Sequence, residues 1–325
     1  MTNFELPESR QQIRYAVTNC ILSEEALNFI AINRCQLYVS AALAFGKMVQ
    51  FFSVHCHQLP LLPRLHGVCA GFESGTWRVD QLSRYIMEWL PEFSLSYTER
   101  KSINDTNSVA QIRKAAQVVY DTDKYEKRGE FGELLLHALM REVIGTEPAI
   151  SKIFFKDAVN STVKGFDAVH VLKTPKGLEL WIGEVKFYKS ISKAIADVVP
   201  ELEAHFKDDY LRKEFILITS KLDPGWSCTN ELADLLHRNR SLDEIVSSIV
   251  VPVLLTYDSA TTKGFTEASK AYKAALEAEL QDHHKKFMAK NSVSNVRIEL
   301  FLFPMASKVE LLKLLNKRLQ AARDL

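Results

Sequence analysis

Apolar residues along this chain recur with two different periods. In the first hundred residues, Val79, Leu82, Ile86 and Trp89 stand three and four apart, which predicts a helix with one buried face. Before it, Pro60, Pro63, Gly67, Gly71 and Gly75 break a largely apolar stretch into short elements. The polar run 97–106 carries neither period and reads as a linker or long loop. Helical spacing returns at Phe131, Leu134, Leu135, Ala138 and Leu139, and Gly145 stands where such a helix would end. Three strand candidates follow at 153–155, 163–172 and 178–187. A helical pattern then runs through Ile191, Ile195, Val198 and Leu202, which Pro200 should kink or shorten. The continuous apolar run 214–219 reads as a buried strand. Strands are expected again over 249–257 and 296–303, separated by a long amphipathic helix bearing Phe265, Tyr272, Leu276 and Leu280. A last helix carries Val309, Leu312, Leu315 and Leu319. The class is mixed α/β, with a central order of helix, three strands, helix, strand.

Two of these strands are joined by Thr174-Pro175-Lys176-Gly177, a turn sequence in which Pro presets the first central residue and Gly the exit. With those four residues as the loop, Lys173 pairs with Leu178, every opposed pair adds to 351, and Asp167 falls opposite Glu184. Side chains alternate along a strand, so Lys186 shares the face of Glu184 and three charged groups converge. A three-residue loop would turn the two carboxylates to different faces.

Paired carboxylates supply oxygen ligands for a hard cation, Mg²⁺ or Mn²⁺. A neighbouring lysine can orient water and offset charge that develops at a phosphate. Glu-x-Lys also occurs as Glu99-Arg100-Lys101 in the polar run, so the tripeptide alone has little weight. The second copy differs by its apolar strand and by the carboxylate strand beside it. Upstream, Glu130, Glu133 and His137 share the more polar side of the helix that opens at 128–133. One of these glutamates, Glu133 ahead of Glu130, is a candidate to hold the metal or its water. Acidic residues in a first helical turn also simply suit the helix dipole.

Composition narrows the setting. With 47% hydrophobic and 25% charged residues the chain has the makeup of a folded globular protein, which excludes extensive disorder. No apolar run reaches the roughly 18–20 residues that span a bilayer, and the polar start Met1-Thr2-Asn3 is unlike an export signal. A cytoplasmic protein with no membrane partner is therefore expected. Five widely spaced cysteines read as reduced thiols, and Cys56 and Cys69 with His55, His57 and His66 lack the paired spacing of a zinc site. Net charge is +1, but residues 261–325 hold 12 Lys or Arg against 7 Asp or Glu. That local excess suits either a phosphate-facing lobe or a solvated helix face. The expected organisation is an N-terminal accessory or partner-binding domain at 1–105, a core at 106–260 and a basic C-terminal extension at 261–325 packed on the core.

The order helix, strand, strand with Gly165-Phe166-Asp167, strand with Gly183-Glu184-Val185-Lys186, helix, strand resembles the PD-(D/E)xK nuclease superfamily, in which the leading helix often carries a metal-associated Glu. The proline before the Asp is absent. Residues 69–73, 128–137, 165–170 and 181–188 together resemble the nuclease subunits of the bacterial Hachiman antiphage defence system. The resemblance implies a restriction-endonuclease-like core, Mg²⁺-dependent hydrolysis of DNA with Asp167, Glu184, Lys186 and Glu133 at the centre, and control by a HamB-type helicase subunit. Two rivals are a stand-alone restriction-like endonuclease and a pseudo-nuclease docking subunit. The intact Asp, Glu and Lys set speaks against the second.

Overall fold

The structure is a computed structural model that describes residues 50–58, 63–120, 129–151 and 165–325. Residues 50–325 form one contact unit. Its centre is a mixed seven-stranded sheet of β1 (Ser53–Gln58), β2 (Arg64–Cys69), β5 (Glu147–Pro148), β6 (Ala168–Thr174), β7 (Gly177–Phe187), β8 (Ile249–Asp258) and β9 (Arg297–Met305). The spatial order is β1-β2-β9-β8-β7-β6-β5. Strands β2, β9, β8 and β7 run parallel, and antiparallel pairs close both edges. Two short strands, β3 (Phe72–Glu73) and β4 (Thr76–Trp77), form a separate ribbon.

Helices cover both faces, because β7, β8 and β9 are apolar on both of theirs. One layer holds α1 (Val79–Glu88), α2 (Leu90–Ser94), α4 (Ser108–Tyr120), α5 (Glu130–Leu139) and α12 (Lys308–Arg323), packed on Trp181, Val185, Val250, Leu254 and Phe301. The other holds α6 (Ile191–His205), α7 (Asp208–Ser220), α8 (Thr229–Leu235) and α11 (Lys270–Met288), packed on Leu180, Ile182, Val251, Val253 and Leu300. Short helices α3 (Tyr97–Lys101), α9 (Leu242–Val246) and α10 (Ala260–Gly264), with a π-helical turn Met140–Ile144 that continues α5, complete the described set. Strand β2, from the segment expected to form an N-terminal domain, pairs with β9, from the expected C-terminal extension. The described parts of all three expected segments thus belong to one contact unit.

The hairpin has the expected register, with Lys173 opposite Leu178 and the ladder running to Ala168 opposite Gly183. It closes one pair tighter, through Thr174 opposite Gly177, so the loop is Pro175-Lys176 and Gly177 takes a left-handed φ of 118°. The expected strand at 214–219 is instead part of helix α7. Its consecutive apolar residues conceal a 3.6-residue period. Leu211, Phe215, Ile218 and Leu222 are buried as one stripe, while Ile216 is 69% exposed. The strand that follows α6 in the sheet is β8. The shortening expected at Pro200 does not occur, since α6 continues to His205 with Ala194, Ile195, Val198 and Leu202 on the sheet. Within the polar run, Ser96 and Glu99 form a reciprocal capping box that starts α3. In α12 the buried stripe is Leu311, Leu315 and Leu319, with Val309 exposed. The strand expected at 153–155 lies outside the described residues.

Helix α5 sits against β7 at Gly132, where a Cβ would lie 2.7 Å from both Phe187 Cβ and Val185 Cγ1. Helix propensity favours Ala over Gly by about 1 kcal/mol, but overpacking costs roughly 1–3 kcal/mol, and a Cβ on a central strand has little freedom to yield. Gly132→Ala is therefore expected to lower the melting temperature. An unchanged or raised value in a thermal scan would contradict this packing.

Candidate functional site

Strand β6 stops at Ala168 while β7 continues, and the side chain of Asp167 takes over where the ladder ends. The Asp167 N–H donates to the Gly183 carbonyl at 2.9 Å, and the Val185 N–H donates to Asp167 Oδ2 at 2.8 Å. Glu184 and Lys186 follow on β7, on the face that carries Leu180 and Ile182 toward α6. Both are buried, at 2% and 8% exposure. Lys186 Nζ lies 3.9 Å from Glu184 Oε2 and is in direct contact with Glu201 on α6. Glu184 Oε1 lies 2.6 Å from Nδ1 of His205, one turn beyond Glu201. The His205 ring stacks on Tyr210 of α7 at 4.5 Å and meets Phe166 edge-on at 5.1 Å.

The field within this cluster is lopsided. Burial alone would push the Lys186 ammonium toward neutrality, yet Glu201, Glu184 and Asp167 overcome it and hold its pKa above the ordinary lysine value. Burial raises the Glu214 carboxyl, with neighbouring Glu184 adding to the rise and His205 and the Phe166 N–H opposing it. Tyr210 is pushed well up by burial and by Glu214, Glu184, Asp167 and Glu201 around it.

Of the residues singled out in the sequence, Asp167, Glu184 and Lys186 come together. Glu133 is buried on α5, next to the Gly132 that packs on Val185 and Phe187. Among the described residues no group of three or more His, Cys, Asp or Glu is arranged to hold a metal. Asp167 and Glu184 are the pair whose oxygens suit a hard cation, and Glu184 Oε1 is buried without an aligned hydrogen bond. Glu201, His205, Tyr210 and Glu214 were missed in the sequence. Reading 214–219 as a strand hid the last two, whereas helical spacing sets Tyr210 and Glu214 four apart on one face. Glu99 of the other Glu-x-Lys copy caps α3 and pairs with Lys114.

A second buried polar network lies on the α5 face. His137, expected on a polar helix side, is 2% exposed. Its Nε2 meets Glu92 Oε2 at 3.2 Å and its Nδ1 meets His170 Nε2 at 3.1 Å, while His170 Nδ1 meets Thr146 Oγ1 at 2.9 Å. One proton arrangement satisfies the whole chain with neutral rings: Thr146 donates to His170, His170 to His137, and His137 to Glu92. Burial pushes both imidazoles below the usual histidine value. Arg141 and Arg100 reach Glu92 at 2.9 and 3.0 Å. Although burial works to raise the Glu92 carboxyl, the His137 hydrogen bond and the two guanidinium groups hold it at about 2.

A mixed sheet clad by helices on both faces, with a buried Glu and Lys beside a half-buried Asp where its β6–β7 hairpin ends, defines this as a three-layer α/β protein with a carboxylate–lysine site. The HamA family model matches residues 49–319, and the chain belongs to the HamA family. That membership is consistent with a Hachiman antiphage-defence protein and suggests a partner protein. No curated protein matches the chain. No helix of the described residues is long and apolar enough to cross a membrane.

Because Glu92 is depressed in the folded state, its contribution is complete above the ordinary carboxyl value of 4.5 and is lost as pH falls toward about 2. Glu92→Gln is expected to cost about 1–3 kcal/mol at neutral pH, since it leaves two partly buried guanidinium groups poorly matched. The gap from the parent protein should close between pH 4.5 and 2. Urea unfolding at pH 7 and pH 3 measures both, and a gap independent of pH would contradict the assignment.

Proposed function

We propose that this protein is a Mg²⁺-dependent deoxyribonuclease, with Mn²⁺ as an alternative cation, whose cleavage centre is Asp167, Glu184 and Lys186 and whose access to DNA depends on a HamB-type helicase. The observation that carries the reading is the convergence of these three side chains at the end of the β6–β7 ladder. Supporting it, α5, β5, β6, β7 and α6, and after the further helices α7, α8 and α9 the strand β8, keep the helix, three strands, helix, strand order of a PD-(D/E)xK core, with β8 parallel beside β7.

Asp167 and Glu184 offer oxygens only, a donor set that suits a cation commonly held by one or two carboxylates and its own waters. When bound, such a cation supplies Lewis-acid polarisation of the phosphodiester and acidifies water at the site. Lys186 has a distinct task. Held as an ammonium beside Glu201, Glu184 and Asp167, it supplies a positive charge that offsets the charge developing on the phosphate. Beyond it, Lys193 and Lys308 lie 5.6 and 6.0 Å over the Tyr188 ring. These groups add cationic and stacking surface for a nucleic-acid strand.

Glu184→Ala, Lys186→Ala and Asp167→Asn are each expected to reduce cleavage roughly 10²- to 10⁴-fold, whereas Glu99→Ala retains it. Plasmid and linear DNA incubated with the protein and its partner, in Mg²⁺ or EDTA, provide the assay. Undiminished cleavage by a folded Glu184→Ala protein would sink the assignment.

Control by a partner follows from electrostatics. Affinity for DNA rests largely on neutralising phosphates, and a chain of net charge +1 loads weakly at physiological salt. Isolated protein is expected to bind and cut DNA poorly at about 150 mM salt and well once the helicase is added. Full cleavage by the chain alone, unchanged by the helicase, would favour a self-sufficient restriction-like enzyme.

A further inference from the structure

We propose that His205 is the positioning residue for Glu184, its Nδ1 holding one carboxylate oxygen so that the other is presented to the cation; this rests on the reading of Glu184 as a metal ligand. The geometry is specific to one ring nitrogen. Nδ1 lies 2.6 Å from Glu184 Oε1, and both atoms are buried with no aligned hydrogen bond to any described residue. Two lone pairs do not share such a separation, so beside an ionised Glu184 the ring carries its N–H on Nδ1, off the ideal hydrogen-bond axis.

The ring is itself fixed from three sides. Tyr210 stacks beneath it at 14° to its plane and Phe166, the residue before Asp167, meets its edge. Glu214 lies close enough for His205 to draw its carboxyl downward against burial, and Glu214 accepts the Phe166 N–H. His205 therefore couples the orientation of Glu184 to the segment that carries Asp167. The other carboxylate oxygen faces Lys186 at 3.9 Å, a looser contact because Lys186 is engaged by Glu201. Glu184 is thus restrained by the imidazole more than by the lysine. An imidazole that orients a ligating carboxylate performs the outer-shell task that carboxylates commonly perform for ligating imidazoles, where loss costs about 10- to 100-fold in metal affinity.

The test uses full-length His205→Ala, His205→Asn and His205→Gln, with Mn²⁺ affinity read by electron paramagnetic resonance and fold by thermal melting. Asn places its amide nitrogen near the position of Nδ1 and Gln near that of Nε2, while both lose the stacking on Tyr210 alike. The expected result is a 10- to 100-fold weaker Mn²⁺ affinity for the Ala and Gln variants, and recovery to within a few-fold of the parent for Asn. Asn and Gln variants weakened equally, or an Ala variant that binds Mn²⁺ like the parent, would overturn the proposal while Glu184→Ala still abolishes binding. Parent and Glu184→Ala proteins with the same Mn²⁺ affinity would overturn the metal-ligand reading, and the positioning role with it.

Discussion

Strand β7 is hydrogen-bonded on both edges and covered by helices on both faces, so each of its side chains must match a defined neighbour. Its odd-numbered residues face α5, where Gly132 touches Val185 and Phe187 closely enough to exclude even a methyl group, and Gly183 is nearly as tight against Leu136. A one-residue slip of the hairpin would turn Glu184 and Lys186 into that space. Packing on one face thereby dictates that the charged pair lies on the other.

The hairpin supplies the second half of the constraint. Ladder pairing between β6 and β7 ends at Ala168 and Gly183, and only beyond that point does β7 have an edge partly released from backbone pairing. The Asp167 carboxylate accepts the Val185 N–H there, continuing the ladder with a side chain. A carboxylate at this position is fixed by the same register that aligns Glu184. The acid pair therefore depends on strand pairing together with the bend at Asp167 that leads into β6.

This explains what was legible in the sequence. A turn with Pro and Gly at fixed offsets determined the register, and the register determined which charged residues meet, so Asp167, Glu184 and Lys186 followed from local information. The partners of those residues did not. Glu201 and His205 are ordinary polar positions on an amphipathic helix until the helix is docked on β7. Tyr210 and Glu214 were obscured by the run Phe215-Ile216-Leu217-Ile218, whose β-branched residues favour a strand and whose burial as a helix depends on tertiary contacts. Reach across the sheet was equally hidden. The spacing of Glu133 in α5 says nothing about which face of the sheet that helix covers, and only the docking of Gly132 on Val185 and Phe187 fixes it.

The two buried polar networks on opposite faces differ in a way that separates scaffold from site. On the α5 face, Glu92 is matched by Arg100 and Arg141, and the line of His137, His170 and Thr146 closes with a donor for every acceptor. Its acceptors are all matched, and the one buried group of the set left without a hydrogen bond is the Arg100 Nε–H, a donor. On the α6 face, Asp167, Glu184 and Glu201 surround Lys186, and the imidazole of His205 reaches Glu184. Burial, with Glu184 adding to it, raises the Glu214 carboxyl, and oxygens of Glu184 and Glu214 are buried without an aligned hydrogen bond. Buried negative charge in excess of its partners is costly, and a fold retains it where a further positive charge completes the set. A divalent cation held by Asp167 and Glu184 would supply that charge, which makes the imbalance itself a physical argument for the proposed chemistry.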